Sequence, residues 1–368
     1  MATYPIVTVT EAVIQSSAPN RRQQIVRYFS NGETTLTSGT SQLISQASDL
    51  TAILDTTVVS ASAFATSFFA QGTSSYYVTE VSGETGTTTI DKITAWLTAN
   101  PNSTYIAAID ATASVDAAFP TLAKAYSGNT ACLYFLPTLT LADFANVSGI
   151  KSVIGFLQAS AAPATEYSEG GLAYTFASLT PSATTQIAPW TYKFMTGLTQ
   201  YATAYQTSQI NTALAANANF ILPATAAGLT SDILMGGVCA DGTPIMMWYG
   251  ADYAYLNLTE GLTLAVVNGS NNQTNPLKYN QSGINTLKAA ALLYLKNAVN
   301  VGAILGPVTV TAISFADYVA ANPTDYKNGI YTGLSATVVP QNGFTNITFA
   351  LTIDMTGASA VTATATTS

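Results

Sequence analysis

The feature that most constrains this chain is a repeated switch of hydrophobic period between residues 76 and 157. Tyr76 to Val81 reads as a strand. Thr89 to Asn100 reads as a helix, whose Ile90, Ile93, Trp96 and Leu97 recur at helical spacing before Pro101 ends it. Tyr105 to Ile109 is the next strand. Ser114 is then expected to cap a helix through Val115, Phe119, Leu122 and Tyr126 that stops near Gly128, and strands follow at Ala131 to Leu136 and Val153 to Leu157. Strands that alternate with helices are joined by crossovers, which lay the strands parallel. The expected fold class is therefore α/β: a mixed, largely parallel sheet with flanking helices.

Outside that region the patterning is looser. A Gly/Ser/Pro-bearing stretch from Ala159 to Pro189 predicts an exposed loop or a subdomain boundary. Helical spacing resumes at Ile210, Ala213, Leu214, Asn217 and Ile221. A β-like run covers Ile233 to Cys239, with an Asp241-Gly242 turn behind it. Ser282 to Val301 predicts a long helix with Ile284, Leu287, Ala291, Leu295 and Ala298 on one stripe.

Both ends read as extended arms. Ile6 to Ile14 is β-rich, bounded by Pro5 and by Ser16, Ser17 and Pro19; Val7, Val9 and Val13 share one face and Ile6 lies on the other. After the turn Pro340-Gln341-Asn342-Gly343, the residues Ile347, Phe349, Leu351 and Ile353 alternate with polar ones, and a second strand-like tail includes Val361. The expected organisation is a β arm over residues 1–20, an α/β body over 21–340 and a C-terminal arm over 341–368. Strands of this kind need a sheet to join, and the tail after Gly357 is either a frayed end or a second exchangeable strand; Ile6, Val7, Val9, Val13, Ile347, Phe349, Leu351, Ile353 and Val361 are the candidates for such strand exchange between subunits.

Composition limits the function. Only 8% of the residues are charged, against roughly a quarter in an ordinary soluble domain. A surface poor in charge suits repeated contact with copies of itself, and it suits a Thr/Ser-rich surface-layer or adhesin protein equally well. The second reading requires export, and Met1 to Pro5 carry no basic region with an apolar, cleavable segment behind it, so a cytoplasmic start is expected. The apolar stretch Ala289 to Val308 contains Lys296, Asn297 and Asn300 and reads as a buried helix, so no membrane partner is expected. A net charge of -8 argues against nucleic acid. All three arginines, Arg21, Arg22 and Arg27, cluster at the start of the body, either as a solvated edge or as a docking patch for an acidic neighbour.

Catalytic chemistry finds little support. The chain has no histidine, and Cys132 and Cys239 lie far apart and read as core thiols. Asp110 sits at a strand end, where α/β sheets bind ligands, yet no phosphate loop or nucleophile elbow accompanies it, and a cap role fits better. Asp116, Asp241 and Asp252 could be assembled into a carboxylate cluster, but their spacing does not single them out. The rings of Trp248, Tyr249, Tyr253 and Tyr255 suit core packing or an interface more often than a ligand platform. No catalytic residue, metal or cofactor is expected.

The last 120 or so residues carry a more specific pattern. Asp325-Tyr326-Lys327-Asn328-Gly329-Ile330-Tyr331, then Gly333-Leu334, then Pro340 to Phe344, with the TrpTyrGlyAlaAspTyr stretch from Trp248 and with Tyr279 and Gly283 before the long helix, resembles the contractile tail sheath proteins of long-tailed bacteriophages. The resemblance implies a structural subunit that forms stacked hexameric rings around a tail tube, meets baseplate and tail terminator proteins, and contracts. It also implies arms that pair with strands of neighbouring subunits, and a place in the virion tail after synthesis in the host cytoplasm. A sheath from a related bacterial injection device shares this pattern.

Overall fold

The computed structural model describes residues 21–55, 60–128, 131–202, 206–224 and 231–344. The chain enters through a 3₁₀ turn at Arg22–Gln24 and continues as β1 (Val26–Ser30), β2 (Ser41–Ile44), α1 (Ala47–Thr51), α2 (Ser60–Phe69) and β3 (Tyr76–Glu80). Next come α3 (Thr89–Ala99), β4 (Ile106–Ile109), α4 (Ala111–Ser114), α5 (Phe119–Ala125), β5 (Tyr134–Leu139), α6 (Phe144–Val147) and β6 (Phe156–Leu157). They are followed by α7 (Glu169–Ser178), β7 (Phe194–Met195), α8 (Thr207–Ala215), β8 (Phe220–Pro223) and β9 (Asp232–Met235). Two long helices, α9 (Ile245–Ser270) and α10 (Gln281–Asn300), precede β10 (Val310–Ala312), α11 (Phe315–Ala321), α12 (Pro323–Asn328) and β11 (Leu334–Ala336).

The six earliest strands form one sheet in the order β2-β3-β1-β4-β5-β6, parallel throughout except for β2 at the edge. Its centre explains the alternation seen in the sequence. All four residues of β4 are buried: Ile106 and Ala108 join Val26 and Tyr28 on one face, and Ala107 and Ile109 join Phe29 on the other. A strand covered on both sides reads as a continuous apolar run. Helices α2 and α7 cover the first face, extended outward by α9 and α10, while α3 and α5 cover the second. Helix α3 starts where its caps dictate. The Thr88 hydroxyl accepts the Asp91 N–H at 3.2 Å, and the Asp91 carboxylate accepts the Thr88 N–H at 3.2 Å.

Several local expectations shift. Ser114 ends a short helix instead of starting one, and Asp110 is the cap, accepting the Ala113 N–H at 2.8 Å. The expected helix from 115 to 126 shortens to α5. The 159–189 stretch contains α7, which is buried against the sheet, because Leu172, Ala173 and Phe176 fill the first face whatever the polarity of the flanking loops. The helical spacing to Ile221 breaks after Ala215, and Ile221 lies on β8 in a three-stranded antiparallel sheet, β7-β9-β8. Strand β5 runs three residues further than expected, to Leu139, and the fourth strand reduces to β6 with a bridge at Val153. The candidate exchange residues Ile6, Val7, Val9, Val13, Ile347, Phe349, Leu351, Ile353 and Val361 lie outside the described residues.

Candidate assembly site

Helices α9 and α10 run antiparallel, with Gly261 facing Tyr294 and Gly250 facing the chain at Ala303. The glycine of the TrpTyrGlyAlaAspTyr stretch has a steric reason: a Cβ at 250 would collide with the Ala303 carbonyl. Beyond α10 the chain folds back on itself. Gln341 N–H donates to the Ala303 carbonyl at 3.1 Å and Leu305 N–H to Val339 at 2.8 Å. Further along, β10 pairs antiparallel with β11, in the register Val310↔Ala336, Thr311↔Ser335 and Ala312↔Leu334. Among the described residues each strand of this ribbon has one partner, so each presents an open edge.

The motif Asp325 to Tyr331 builds an aromatic clasp at one end of the ribbon. Tyr279, Phe315 and Tyr326 meet edge to face or tilted, with ring centroids 5.3 to 5.9 Å apart. Tyr318 packs 4.7 Å from Tyr331 and donates its hydroxyl to the Asp325 carboxylate at 2.8 Å. The Tyr331 hydroxyl donates to the Ile313 carbonyl at 2.6 Å, fixing the end of β10. Gly329 closes α12 in the left-handed conformation, φ 70°, which lets the chain turn back at once toward β11. Around the ribbon, Leu305, Ile313, Tyr326, Ile330 and Val339 are about half exposed, and Phe344 is 81% exposed where the described chain ends. A ribbon of two three-residue strands is marginal by itself in water.

The three arginines do not form one patch. Arg27 is only 5% exposed; its guanidinium donates to Thr104 at 2.9 Å and to Ser41 at 2.7 Å, and stacks 4.5 Å from the Trp96 ring. Burial lowers its pKa to about 10, so it stays charged at neutral pH while its donors are used within the body. Arg22 donates to the Ala131 carbonyl at 2.9 Å, and exposed Arg21 donates to the Tyr253 hydroxyl at 2.8 Å. These two line an open groove of about 860 Å³ whose other walls include Tyr253, Leu256, Glu260 and Tyr294 of α9 and α10.

The aspartates weighed for chemistry are dispersed as structural acceptors. Asp110 caps α4, Asp116 accepts the Ala118 N–H at 2.8 Å, and Asp241 accepts the Thr243 N–H at 2.9 Å in its turn. Asp252 lies inside the body. It receives the Tyr105 hydroxyl at 3.0 Å and the Tyr134 hydroxyl at 2.8 Å, and so ties α9 to β4 and β5. Burial raises its pKa, against the pull of Lys151 and the two tyrosines. Tyr249 and Tyr253 are core residues, and Tyr255 is exposed. Both cysteines are free and buried; burial pushes the Cys132 thiol up to about 12 and Cys239 well above its ordinary value, which leaves both protonated. Among the described residues no group of three or more acids or cysteines is placed to hold a metal ion. No helix among them is long and apolar enough to cross a membrane.

No family model matches the chain, and no curated protein matches it at a significant level. Solved structures do. A chain from the helical sheath of the anti-feeding prophage, in the contracted state, aligns over 96% of this chain and 100% of its own, at 12% identity and a TM-score of 0.61. The contracted baseplate of the same particle contains a chain that aligns over 97% and 100%, at 13% identity and TM-score 0.60. The chain has the sheath-protein fold. A sheath tail protein from Desulfitobacterium hafniense aligns over 83% of this chain and 93% of its own, at 11% identity and TM-score 0.52. The sheath fold thus extends through the α/β body, where the sequence offered only a layout. The sequence reading missed the ribbon at β10 and β11; the alternating β-branched run Val308-Thr309-Val310-Thr311 was the available signal.

Proposed function

We propose that this chain is the structural subunit of a contractile phage tail sheath. It polymerises as stacked hexameric rings around a tail tube, meets the baseplate and tail terminator proteins, and shortens to drive the tube through the target envelope. The observation that carries this reading is the likeness to a helical-sheath chain over nearly the whole length of both proteins. The exposed ribbon supports the assembly step. Its two open edges can accept strands from neighbouring copies, with Ile6, Val7, Val9 and Val13 of one arm and Ile347, Phe349, Leu351, Ile353 and Val361 of the other as the donors. Strand addition is made of main-chain hydrogen bonds, which survive a rigid-body rotation of the subunits. Arg21 and Arg22 are the contacts for an acidic neighbour or tube. In this reading the subunit is made in the host cytoplasm and ends in the virion tail, and it uses neither nucleotide nor cofactor.

Negative-stain microscopy of the purified full chain tests it. Long hollow tubes are expected, and deletion of residues 1–15 should abolish them while leaving a folded monomer. Dispersed monomers at high concentration from the intact chain would count against the whole proposal, and tubes from the truncated one against the arm model. The likeness to the anti-feeding prophage sheath favours a second reading, a bacterial injection device with the same architecture. Purified native particles separate the two: a DNA-filled capsid on the tail supports the phage, and a tail without one supports the device.

A further inference from the structure

At the carboxyl edge of the large sheet, where the strand order reverses between β1 and β4, the fold gathers acids without gathering bases. Glu33 follows β1, Asp110 follows β4, and Glu166 and Glu169 lie at the start of α7, with the Tyr28 and Tyr167 hydroxyls among them. Glu169 is 0% exposed, and no hydrogen bond of good geometry reaches either carboxyl oxygen; the Thr138 hydroxyl of β5 and its own N–H lie beside it and only partly offset its burial. Glu33 is also buried, and accepts the Ala61 N–H at 2.9 Å and, more weakly, the Tyr28 hydroxyl at 3.3 Å.

Two neighbouring buried acids show how this fold supplies donors to a carboxylate. Glu80 accepts from the Ser30 hydroxyl, the Gly32 N–H, the Thr34 hydroxyl and N–H and the Ser82 N–H. These bonds outweigh its burial and hold it below the usual carboxylate range. Glu166 accepts from the Ser168 hydroxyl and from the Thr199 N–H and hydroxyl. Glu169 has no comparable set of donors: the Thr138 hydroxyl and its own N–H do not outweigh its burial. Nor does a base reach it from the elements packed on α7. Helix α2 and strands β4 and β5 carry none, Arg22 of the 3₁₀ turn bonds the Ala131 carbonyl, and Arg27 of β1 stacks on Trp96 of the opposite face. A carboxylate buried with few donors and no counter-charge takes up a proton.

We propose that Glu33 and Glu169 carry a proton in weakly acidic solution and act as a proton-linked latch where the first turns of α2 and α7 meet the sheet. The latch stands independently of the sheath reading. Burial is the leading cause for both groups and pushes each up to about 7 from an ordinary 4.5. The folded state therefore keeps protons that the unfolded chain releases, and stability falls as pH rises from about 4.5 to about 7, then levels. Glu80, with the opposite shift, loses its contribution only in acid.

Thermal unfolding of the full chain across that range, with Glu33→Gln, Glu169→Gln and the double variant, tests the latch. The unsubstituted protein should lose several degrees of Tm across the interval. Each glutamine, a neutral isostere, should flatten the loss, and at alkaline pH the variants should equal or exceed the parent. An unchanged slope in the double variant, or a parent Tm that stays flat or rises, would overturn the proposal. Infrared spectra of the unsubstituted protein give a readout that needs no variant. A protonated-carboxyl stretch should be present in weakly acidic solution and bleach around neutrality, and its absence would equally sink the latch.

Discussion

At the residue scale, the body depends on polar groups that are buried with their partners. Asp252 is the clearest: one carboxylate on a helix receives two tyrosine hydroxyls, from Tyr105 just before β4 and from Tyr134 of β5. Replacing it by Ala leaves both hydroxyls buried and unpaired, and about 2 to 4 kcal/mol of stability should be lost; chemical denaturation measures this. Asp252→Asn, which keeps one acceptor, should cost less. Arg27→Lys should cost about 1 to 3 kcal/mol despite retaining the charge, because a lysine cannot donate in a fork to Thr104 and Ser41 while stacking on Trp96. An unchanged denaturation midpoint would show that the fork is dispensable. None of these pairings was legible in the sequence. Arg27 read as one of three clustered cations, and only the pleat of β1, which turns it toward Trp96, separates it from Arg21 and Arg22.

At the element scale, α3, α10 and the central strands were legible, while α7 and the longest helix, α9, were not. The stripe of α10 holds, with Ile284, Ala291, Leu295 and Ala298 buried as its periodicity requires. Helix α7 was missed because two glycines, Gly170 and Gly171, sit in its first turn and read as a loop. They are tolerated there because α2 packs so closely that a Cβ at 170 would press within 2.5 Å of the Phe64 carbonyl. The clasp makes a prediction of its own. Gly329→Val forces a β-branched residue into the left-handed conformation at φ 70°, a strain of about 1 to 2 kcal/mol. Hydrogen exchange should then quicken in α11, α12 and the ribbon while the large sheet stays protected. Faster exchange throughout the sheet would mean that the clasp and the body unfold together.

At the scale of the whole molecule, the fold combines a large two-faced α/β core with a marginal, half-exposed ribbon. The core buries its apolar residues within one chain, and in the proposed assembly the open edges of the ribbon, as seen among the described residues, would be completed by other copies. The arginine patch can be tested in that setting. An Arg21→Ala/Arg22→Ala variant loses the bonds to Tyr253 and the Ala131 carbonyl, about 1 to 2 kcal/mol, and should stay folded, yet should assemble less well and with weaker salt dependence by light scattering. Assembly that matches the parent at every ionic strength would remove these residues from the contact.

What the sequence determined by itself was set by local periodicity: the alternation that makes a parallel sheet, the α3 stripe that Pro101 ends, the long α10, and the aromatic and glycine motif that resembles sheath proteins. Those signals survive in one dimension because each is a repeat or a turn whose residues are neighbours along the chain. The tertiary structure alone decided which polar groups would be buried together. The Asp252 bridge joins residues more than a hundred positions apart. The uncompensated acids at the strand ends meet only because the strand order reverses beside β1. Burial and pairing depend on what lies across the core, and no local pattern records that.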